Sequence, residues 1–383
     1  MLYCINFAIP IVKDSDEINT VKHIYLKLMK DKQRVILVCP LNWGLGHAAR
    51  CIPLIKSLIQ QGNKVIVAGE GSVIHLLKEE FIYLKVVVLK GVEIKYSAKG
   101  FSFFSMMVFF PSLLWSVYKE HRLLKQLIKE HQIDVVISDN RYGLWSAEVK
   151  SIFITHQLNI MIPPQWKFAR KLVQAMNHYF INKFDEWWIP DESSRPVSGE
   201  LAAAFDKNYK LKYIGILSRF IDCDVEPVTT KYEVLVILSG PEPQRTILEN
   251  ILCIQLLPLN KSVLIVRGKP QDKEERPALG VISFVNHLPS GILKSHLLQS
   301  SFIVCRSGYS TLMDLAAVGR SAVIIPTPGQ SEQEYLGDFH QLKRHHIRIL
   351  QEDINMEKTF KELDSCQPLL LANSLLKEVL INM

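Results

Sequence analysis

Residues 35–62, VILVCPLNWGLGHAARCIPLIKSLIQQG, contain a strand pattern, a glycine turn and a helix pattern in succession. The apolar run Val35–Pro40 is short and rich in β-branched residues, which is typical of a strand buried on both faces of a parallel sheet. After the turn at residues 41–46, apolar residues recur at helical spacing from His47 to Gln61, and Gly62 ends the helix. Such a β-α unit predicts a parallel α/β sheet.

The same alternation recurs along most of the chain. Further strands are predicted at residues 64–68, 86–89, 133–138, 152–155, 187–189, 233–238, 262–267, 281–284, 302–305 and 322–326. Helices are predicted between them, with one more at 369–381. We therefore predict an α/β protein of two Rossmann-like αβα domains, with a cleft between the carboxyl ends of their sheets.

The irregular segment 218–231, rich in charge, Pro and Thr, predicts a linker between the two domains. The predicted segments are an N-terminal extension (1–33), a first Rossmann-like domain (34–217), the linker (218–231), a second Rossmann-like domain (232–350) and a helical tail (351–383).

Composition excludes several classes of protein. With 383 residues and 48% hydrophobic content the chain is not disordered, and 18 Gly with 18 Pro exclude a collagen-like repeat. The net charge of +7 favours an anionic ligand or membrane surface, whereas no basic run with interleaved aromatics favours nucleic acid. Seven scattered cysteines without a C-x-x-C pair predict neither disulfides nor structural zinc, and favour the cytoplasm.

Residues 101–118, FSFFSMMVFFPSLLWSVY, carry no charge. Their length is near the lower limit for a membrane-spanning helix, but four serines and Pro111 interrupt the run. We expect a buried or surface-docking helix pair, and the nearby Arg122, Lys125 and Lys129 would suit peripheral contact with an anionic membrane. Packing inside the protein is the alternative.

The turn after the first strand contains Gly44, Gly46 and His47. Glycines there let backbone N–H groups approach a ligand, and the helix N-terminus favours negative charge. His47, pointing into the predicted cleft, is a candidate general base, with Asp139 at the end of the 133–138 strand in reserve. A helix-capping or buried histidine is the alternative interpretation.

Two motifs follow strands of the second half. In the first, CRSGYSTLMD at 305–314, hydroxyls lie beside a helix N-terminus and Asp314 could bind the vicinal hydroxyls of a ribose. In the second, IPTPGQSEQEYL at 325–336, amides and carboxylates at the end of a strand could bind sugar hydroxyls. Ordinary capping of the two helices is the alternative for both.

Together these two motifs resemble the C-terminal half of the family-28 glycosyltransferases, the family of the peptidoglycan N-acetylglucosaminyltransferases. The resemblance rests on R-S-G, an acidic position after it, a strand ending in Pro and a Q-x-x-Q-E-Y helix. It extends more loosely over residues 34–350, through the Gly44–His47 turn and His156-Gln157-Leu158-Asn159. It implies the GT-B fold, with the nucleotide-sugar donor held mainly by the second domain.

The resemblance also implies roles for individual residues. Asp314 would bind the ribose, Ser310 and Thr311 the diphosphate, Arg219 a phosphate, and the backbone at Val285 the uracil. The remaining donor-binding candidates are Gly44, Gly46, Ser239, Gly240, Arg306, Ser307, Gly308, Tyr309 and Gln330, with Gln333 and Glu334 on the donor sugar. The acceptor-side candidates are Asn140, His156 and Asn159. The chain departs from the family at Glu334, where Gln is common, and at Pro241-Glu242-Pro243, where a loop rich in Gly and Ser is usual.

The implied activity is inverting, metal-independent transfer of a sugar such as N-acetylglucosamine from a UDP-sugar to a glycan or lipid-linked acceptor in cell-envelope polysaccharide synthesis. No cofactor is expected besides the UDP-sugar substrate, and the D-x-D pairs at 14–16 and 222–224 are interpreted as solvated charges. Two alternatives stay open. The pattern Gly46-His47-x-x-Arg50-Cys51 also resembles the nucleotide-sugar hydrolase of pseudaminic acid synthesis, and a non-catalytic nucleotide-sugar sensor could use the same scaffold.

Overall fold

The computed structural model describes residues 33–91, 103–162, 168–203, 210–371 and 375–383, with the side chains of 103–110 left out. The predicted N-terminal extension therefore lies outside the described residues except for its last position. Residues 101 and 102 of the uncharged segment lie outside them as well.

The first domain is built on a sheet of seven parallel strands in the order β3-β2-β1-β4-β5-β6-β7 among the described residues. Its strands are β1 (Val35–Pro40), β2 (Lys64–Gly69), β3 (Lys85–Val88), β4 (Val135–Asp139), β5 (Lys150–Ile154), β6 (Glu186–Ile189) and β7 (Leu211–Tyr213). Its helices are α1 (Leu45–Gln60), α2 (Gly71–Glu80), α3 (Phe103–His131) and α4 (Arg170–Ile181). The buried apolar residues of β1, β2 and β4 pack against α1 and α2. Such packing is expected because helices cover both faces of a parallel sheet.

The second domain repeats this plan with six described parallel strands in the order β10-β9-β8-β11-β12-β13. Its strands are β8 (Val234–Ile237), β9 (Val263–Val266), β10 (Ile282–Val285), β11 (Phe302–Cys305), β12 (Val323–Ile324) and β13 (Ile347–Arg348). Its helices are α5 (Gln244–Leu256), α6 (Ser290–Gln299), α7 (Tyr309–Val318), α8 (Ser331–Leu342) and α9 (Met356–Leu363). Short 3-10 turns lie at Gly199–Ala202 and Leu257–Leu259.

The C-terminal segment joins the two domains. The predicted helix at 369–381 is shorter than expected: residues 369–371 are not helical, and α10 spans Leu376–Ile381. Leu371 packs into the core of the second domain, whereas Leu376 and Leu380 pack into the core of the first. The C-terminal segment therefore contributes side chains to both cores.

Helix α3 corrects the expectation of a helix pair, because it continues without a break from Phe103 to His131 and has Pro111 inside it. Pro111 is exposed, so water can replace the backbone hydrogen bond that its missing N–H removes. Within the described ranges, we find no helix that combines the length and the apolar character needed to cross a bilayer.

Strands β7 and β13 were not predicted, since three and two residues carry too little periodicity. All the strands that were predicted are present, and the ends of several differ from the predicted ends by a few residues. The six cysteines that the structure describes are free, and Cys39 and Cys305 are buried in strands.

Candidate functional site

A cleft of about 450 Å³ lies between the two domains. Its walls come from the turn after β1, from residues after β4 and β5, and from the N-terminal ends of α7 and α8. This is the edge at which doubly wound sheets bind ligands, and the volume suits a small organic ligand.

The domains touch closely at one wall of the cleft. The hydroxyl of Ser310, in the first turn of α7, donates a hydrogen bond to the carbonyl oxygen of Gly46 over 3.0 Å. A Cβ atom at Gly46 would lie 2.8 Å from Ser310 Oγ, so a larger residue there would require the Ser310 side chain to shift. The glycine turn therefore brings the first helix of one domain against a helix N-terminus of the other.

His47 lies in the first turn of α1 and lines the cleft. Its Nδ1 is 3.0 Å from Asp139 Oδ2 and 2.8 Å from Arg50 Nη2. A neutral imidazole nitrogen cannot donate to the carboxylate and accept from the guanidinium at once, and the carboxylate is the stronger partner. We therefore assign the Nδ1 proton to the bond with Asp139, which leaves the Nε2 lone pair for a proton acceptor.

Burial and the positive charge of Arg50 lower the pKa of His47, while Asp139 opposes them. The imidazole is consequently neutral at neutral pH, as a general base must be before it acts.

Arg50 is buried and holds Asp139 at two points. Its Nε donates to Asp139 Oδ2 over 2.9 Å, and its Nη2 contacts Asp139 Oδ1. Although burial opposes the charged form, Arg50 and His47 hold the pKa of Asp139 well below its usual range. A carboxylate held in this way orients His47 rather than taking a proton itself, so the geometry favours His47 over Asp139 as the base.

A second set of side chains extends this cluster to the second domain. Arg50 Nη1 lies 3.1 Å from His156 Nδ1, and His156 Nε2 lies 2.8 Å from Glu332 Oε1 on α8. Gln157 Nε2 donates to the other oxygen of Glu332, and the His156 ring stacks on Tyr309 with centroids 4.0 Å apart. Six side chains thus form one continuous network across the domain junction: His47, Asp139, Arg50, His156, Glu332 and Gln157.

Arg50, Gln157 and Glu332 were not predicted as site residues. Arg50 lies three residues after His47, Glu332 lies two residues after Gln330, and Gln157 follows the predicted His156. Their roles depend on contacts between distant segments, and no signal in the sequence could separate them from ordinary helix residues.

A smaller cavity of about 70 Å³ adjoins the cleft, and Ser239, Ser310 and Thr311 line both. Asp314 faces it, accepting a hydrogen bond from Ser218 Oγ over 2.6 Å, with Arg219 Nε 3.7 Å from its other oxygen. Burial raises the pKa of Asp314, and Arg219 opposes that rise. The structure therefore places the two predicted donor-binding residues Arg219 and Asp314 side by side.

The structure brings most of the predicted residues to the cleft. Besides His47 and His156, its described lining contains Gly44, Gly46, Asn140, Ser239, Gly240, Gly308, Tyr309, Ser310, Thr311, Gln330 and Gln333.

Eight predicted residues lie outside that lining. Three of them, Asp139, Arg219 and Asp314, make the contacts described above. Arg306 is buried and donates to the carbonyls of Gln244, Ile325 and Pro326, while Ser307 donates to the carbonyl of Gln333. Asn159 donates hydrogen bonds to the carbonyls of Glu200 and Ala203. Glu334 accepts a hydrogen bond from the backbone N–H of Gly329. Val285 ends β10. Four of these side chains shape the loops around the cleft.

The acidic pairs lie away from the cleft or outside the description. Asp14 and Asp16 are outside the described residues, and Asp222 is exposed with its carboxylate 3.5 Å from Lys377 Nζ. In the part of the chain that the structure describes, no group of three or more His, Cys, Asp or Glu side chains is placed to hold a metal ion.

Comparison with known sequences identifies the second domain. Residues 234–369 match the family model of the glycosyltransferase family 28 C-terminal domain. Over 323 residues, 78% of this chain and 81% of the relative, the sequence is 24% identical to an uncharacterized glycosyltransferase of Methanosarcina mazei. Over 85 residues it is 34% identical to the UDP-N-acetylglucosamine--N-acetylmuramyl-(pentapeptide) pyrophosphoryl-undecaprenol N-acetylglucosamine transferase of Methylobacterium radiotolerans. The chain spans only 22% of the length of that transferase.

Solved structures share the architecture. The glycotransferase of kitacinnamycin superposes with a TM-score of 0.60 at 15% identity, over 86% of this chain and 90% of its own. The calicheamicin glycosyltransferase CalG4 superposes with a TM-score of 0.58 at 13% identity, over 91% of this chain and 92% of its own. These similarities confirm the predicted fold class. The chain thus has the GT-B fold, and its residues 234–369 match the glycosyltransferase family 28 C-terminal domain.

Proposed function

We propose that the protein is an inverting glycosyltransferase that moves a sugar from a UDP-sugar donor to a hydroxyl of a glycan or lipid-linked acceptor in cell-envelope polysaccharide synthesis. The observation that carries the proposal is His47, oriented by Asp139 and facing a cleft whose other wall is the family 28 domain. The name of the relative from Methylobacterium radiotolerans supports N-acetylglucosamine as the sugar.

The donor half of the proposed site lies on the second domain. Helix α7 has ten residues, and Ser310 and Thr311 present hydroxyls at its N-terminal end, where N–H groups and the helix dipole favour a diphosphate. Gly240, at a φ of 97° that favours glycine, turns the chain after β8 beside the same space. In this proposal Arg219 adds a positive charge, and the ribose competes with Ser218 for Asp314.

The proposed reaction is a single in-line displacement. The acceptor hydroxyl oxygen forms a bond to the anomeric carbon while His47 Nε2 takes its proton. The bond from that carbon to the diphosphate oxygen breaks, and its electron pair leaves with UDP. Asp139 stabilises the imidazolium, and the α7 N-terminus with Arg219 stabilises the departing charge, so no metal ion is assigned a role.

We place a peripheral membrane contact on the first domain, where a lipid-linked acceptor would arrive. Trp115 and Tyr118 on α3 are 57% and 51% exposed, with Lys119 and Arg122 over their rings. Lys183, just beyond the end of α4, lies over the rings of Tyr179 and Trp145, and Trp145 stacks on His121 of α3. Aromatic rings beside basic side chains favour the interface of an anionic bilayer.

The test is release of UDP from UDP-N-acetylglucosamine by the purified full chain, with and without a lipid extract as acceptor. Release that requires the extract, with N-acetylglucosamine incorporated into lipid, supports the proposal. Release without acceptor identifies a hydrolase, and binding of UDP without release under either condition identifies a sensor. Either of those outcomes, or a failure to bind UDP, overturns it.

A further inference from the structure

Glu332 occupies an unusual place in the cleft. It belongs to the first turn of α8 in the second domain, yet both of its carboxylate oxygens are held by the first domain, through His156 and Gln157. Its side chain keeps 33% of its surface exposed and lines the cleft. Two fixed contacts and an open face are the features of a group that is positioned to meet a ligand.

The formal charges along the cleft are few. Among the described residues that line it, two have a side chain of the Arg, Lys, Asp or Glu type, namely Arg50 and Glu332. Arg50 is 2% exposed and paired with Asp139, so its charge is already neutralised within the wall. Glu332 is therefore the formal charge that a sugar in this part of the cleft would contact.

Glu332 also remains ionised near the reacting groups. Although burial opposes the charged form, His156, Arg50 and His47 lower the pKa of Glu332. Because these are the side chains of the proposed catalytic network, the carboxylate lies at the sugar end of the cleft rather than at the nucleotide end.

We propose that Glu332 determines the charge class of the donor sugar: its carboxylate accepts hydrogen bonds from hydroxyl or amino groups of a neutral or cationic sugar and excludes sugars that carry a carboxylate. This inference rests on the proposed function. An ionised acceptor-only group has no proton to offer a second carboxylate, and two like charges in a partly dehydrated cleft repel each other. Hydroxyl and amino groups, by contrast, supply the donors that Glu332 lacks.

The experiment compares UDP-glucose with UDP-glucuronate, which differ by a hydroxymethyl and a carboxylate group, with UDP as the reference. Dissociation constants are measured by calorimetric titration of the full chain. We expect wild type to bind UDP-glucuronate about tenfold or more weakly than UDP-glucose, the direction that like-charge repulsion imposes. Glu332→Gln, which keeps the size and removes the charge, should reduce that ratio to about twofold or less.

The matched control is Asp338→Asn, which removes one charge from the same helix at a side chain that is 66% exposed and paired with Arg348. This variant should keep the wild-type ratio. Affinity for UDP itself should change less than about twofold in Glu332→Gln, which shows that the variant is folded.

Equal binding of the two sugars by wild type, or an unchanged ratio in Glu332→Gln, overturns the role of Glu332 while leaving the proposed function in place. Failure of UDP to bind to wild type removes the donor site and with it the proposed function.

Discussion

His47 Nδ1 lies 3.0 Å from Asp139 Oδ2, although 92 positions separate the two residues in the chain. They meet because β1 and β4 are adjacent parallel strands, with Pro40 in register with Asp139, and the turn after β1 leads directly to His47. The carboxyl ends of neighbouring strands thus deliver a base and its orienting carboxylate to one edge of the sheet. Variants of His47 and Asp139 test this relationship.

Replacing His47 by alanine should lower kcat by about 100-fold or more, the scale of general-base loss. His75→Ala is the control, since His75 is half exposed on α2 and lies outside the described lining of the cleft. Turnover is measured as UDP release in the presence of acceptor. Turnover of His47→Ala at the wild-type rate would remove His47 from the mechanism.

Asp139→Asn should lower the turnover rate, and it should also destabilise the protein. The stability falls because Arg50 would keep a buried charge without a carboxylate partner. Breaking a buried pair in this way costs about 3–5 kcal/mol. The free energy of unfolding is measured by urea denaturation at pH 7.5. Glu357→Gln, which breaks an exposed pair with Lys361, should cost less than about 1 kcal/mol. Equal costs for the two variants would contradict the assignment of a charged Arg50–Asp139 pair.

Stability should fall as the pH drops from about 6.5 towards 4. Burial and His345 lower the pKa of His340 to about 4, while its hydrogen bond with the carbonyl of Val197 opposes them. Because the native pKa lies below the unfolded value of about 6.5, the unfolded state binds more protons between these limits, and acid favours it.

His340 alone should account for a loss of about 2 kcal/mol between pH 7.5 and pH 5. His340→Gln keeps a side-chain N–H donor but cannot titrate. Between pH 7.5 and pH 5, the free energy of unfolding of this variant should therefore fall by about 2 kcal/mol less than that of wild type. Urea denaturation at both pH values measures the difference. Parallel losses in wild type and variant would show that His340 does not contribute.

Wild type should sediment with vesicles that contain phosphatidylglycerol at low salt, and less with neutral phosphatidylcholine vesicles or at high salt. Replacing both Trp115 and Tyr118 by alanine should weaken binding by about tenfold or more, since two aromatic rings lose their burial in the interface. Tyr83→Ala is the control, because Tyr83 is 99% exposed and lies near the start of β3. No sedimentation of wild type at low salt would exclude the membrane contact.

The order of strands and helices could be predicted because alternating apolar runs and glycine turns are local signals. The run Val35–Pro40 appears as a strand with the predicted bounds. The short strand β13 was missed, since two residues show no period. The prediction of a helix pair interrupted at Pro111 was wrong, since α3 is a single helix that contains this proline. A proline on an exposed helix face can be tolerated, although the sequence alone suggests a break.

The site was predictable only where a residue follows a strand or opens a helix. His47, Asp139 and Ser310 occupy such positions, and the structure brings them to one region. Arg306 and Ser307 also follow a strand, yet their side chains turn to backbone carbonyls and support the loops. Which of two neighbouring polar residues faces the cleft depends on the rotation of the turn, which the residue types do not encode.

By itself, the sequence determined that this protein has two parallel α/β domains and that its polar turns fall at the carboxyl ends of strands, because periodicity and turn chemistry act over a few residues. The tertiary structure alone decided that Glu332 reaches His156 across the domain junction, that Arg50 neutralises Asp139, and that Leu376 and Leu380 pack in the core of the first domain. Those contacts join segments far apart in the chain, so they depend on how the two sheets are placed against each other and on which charges are buried together.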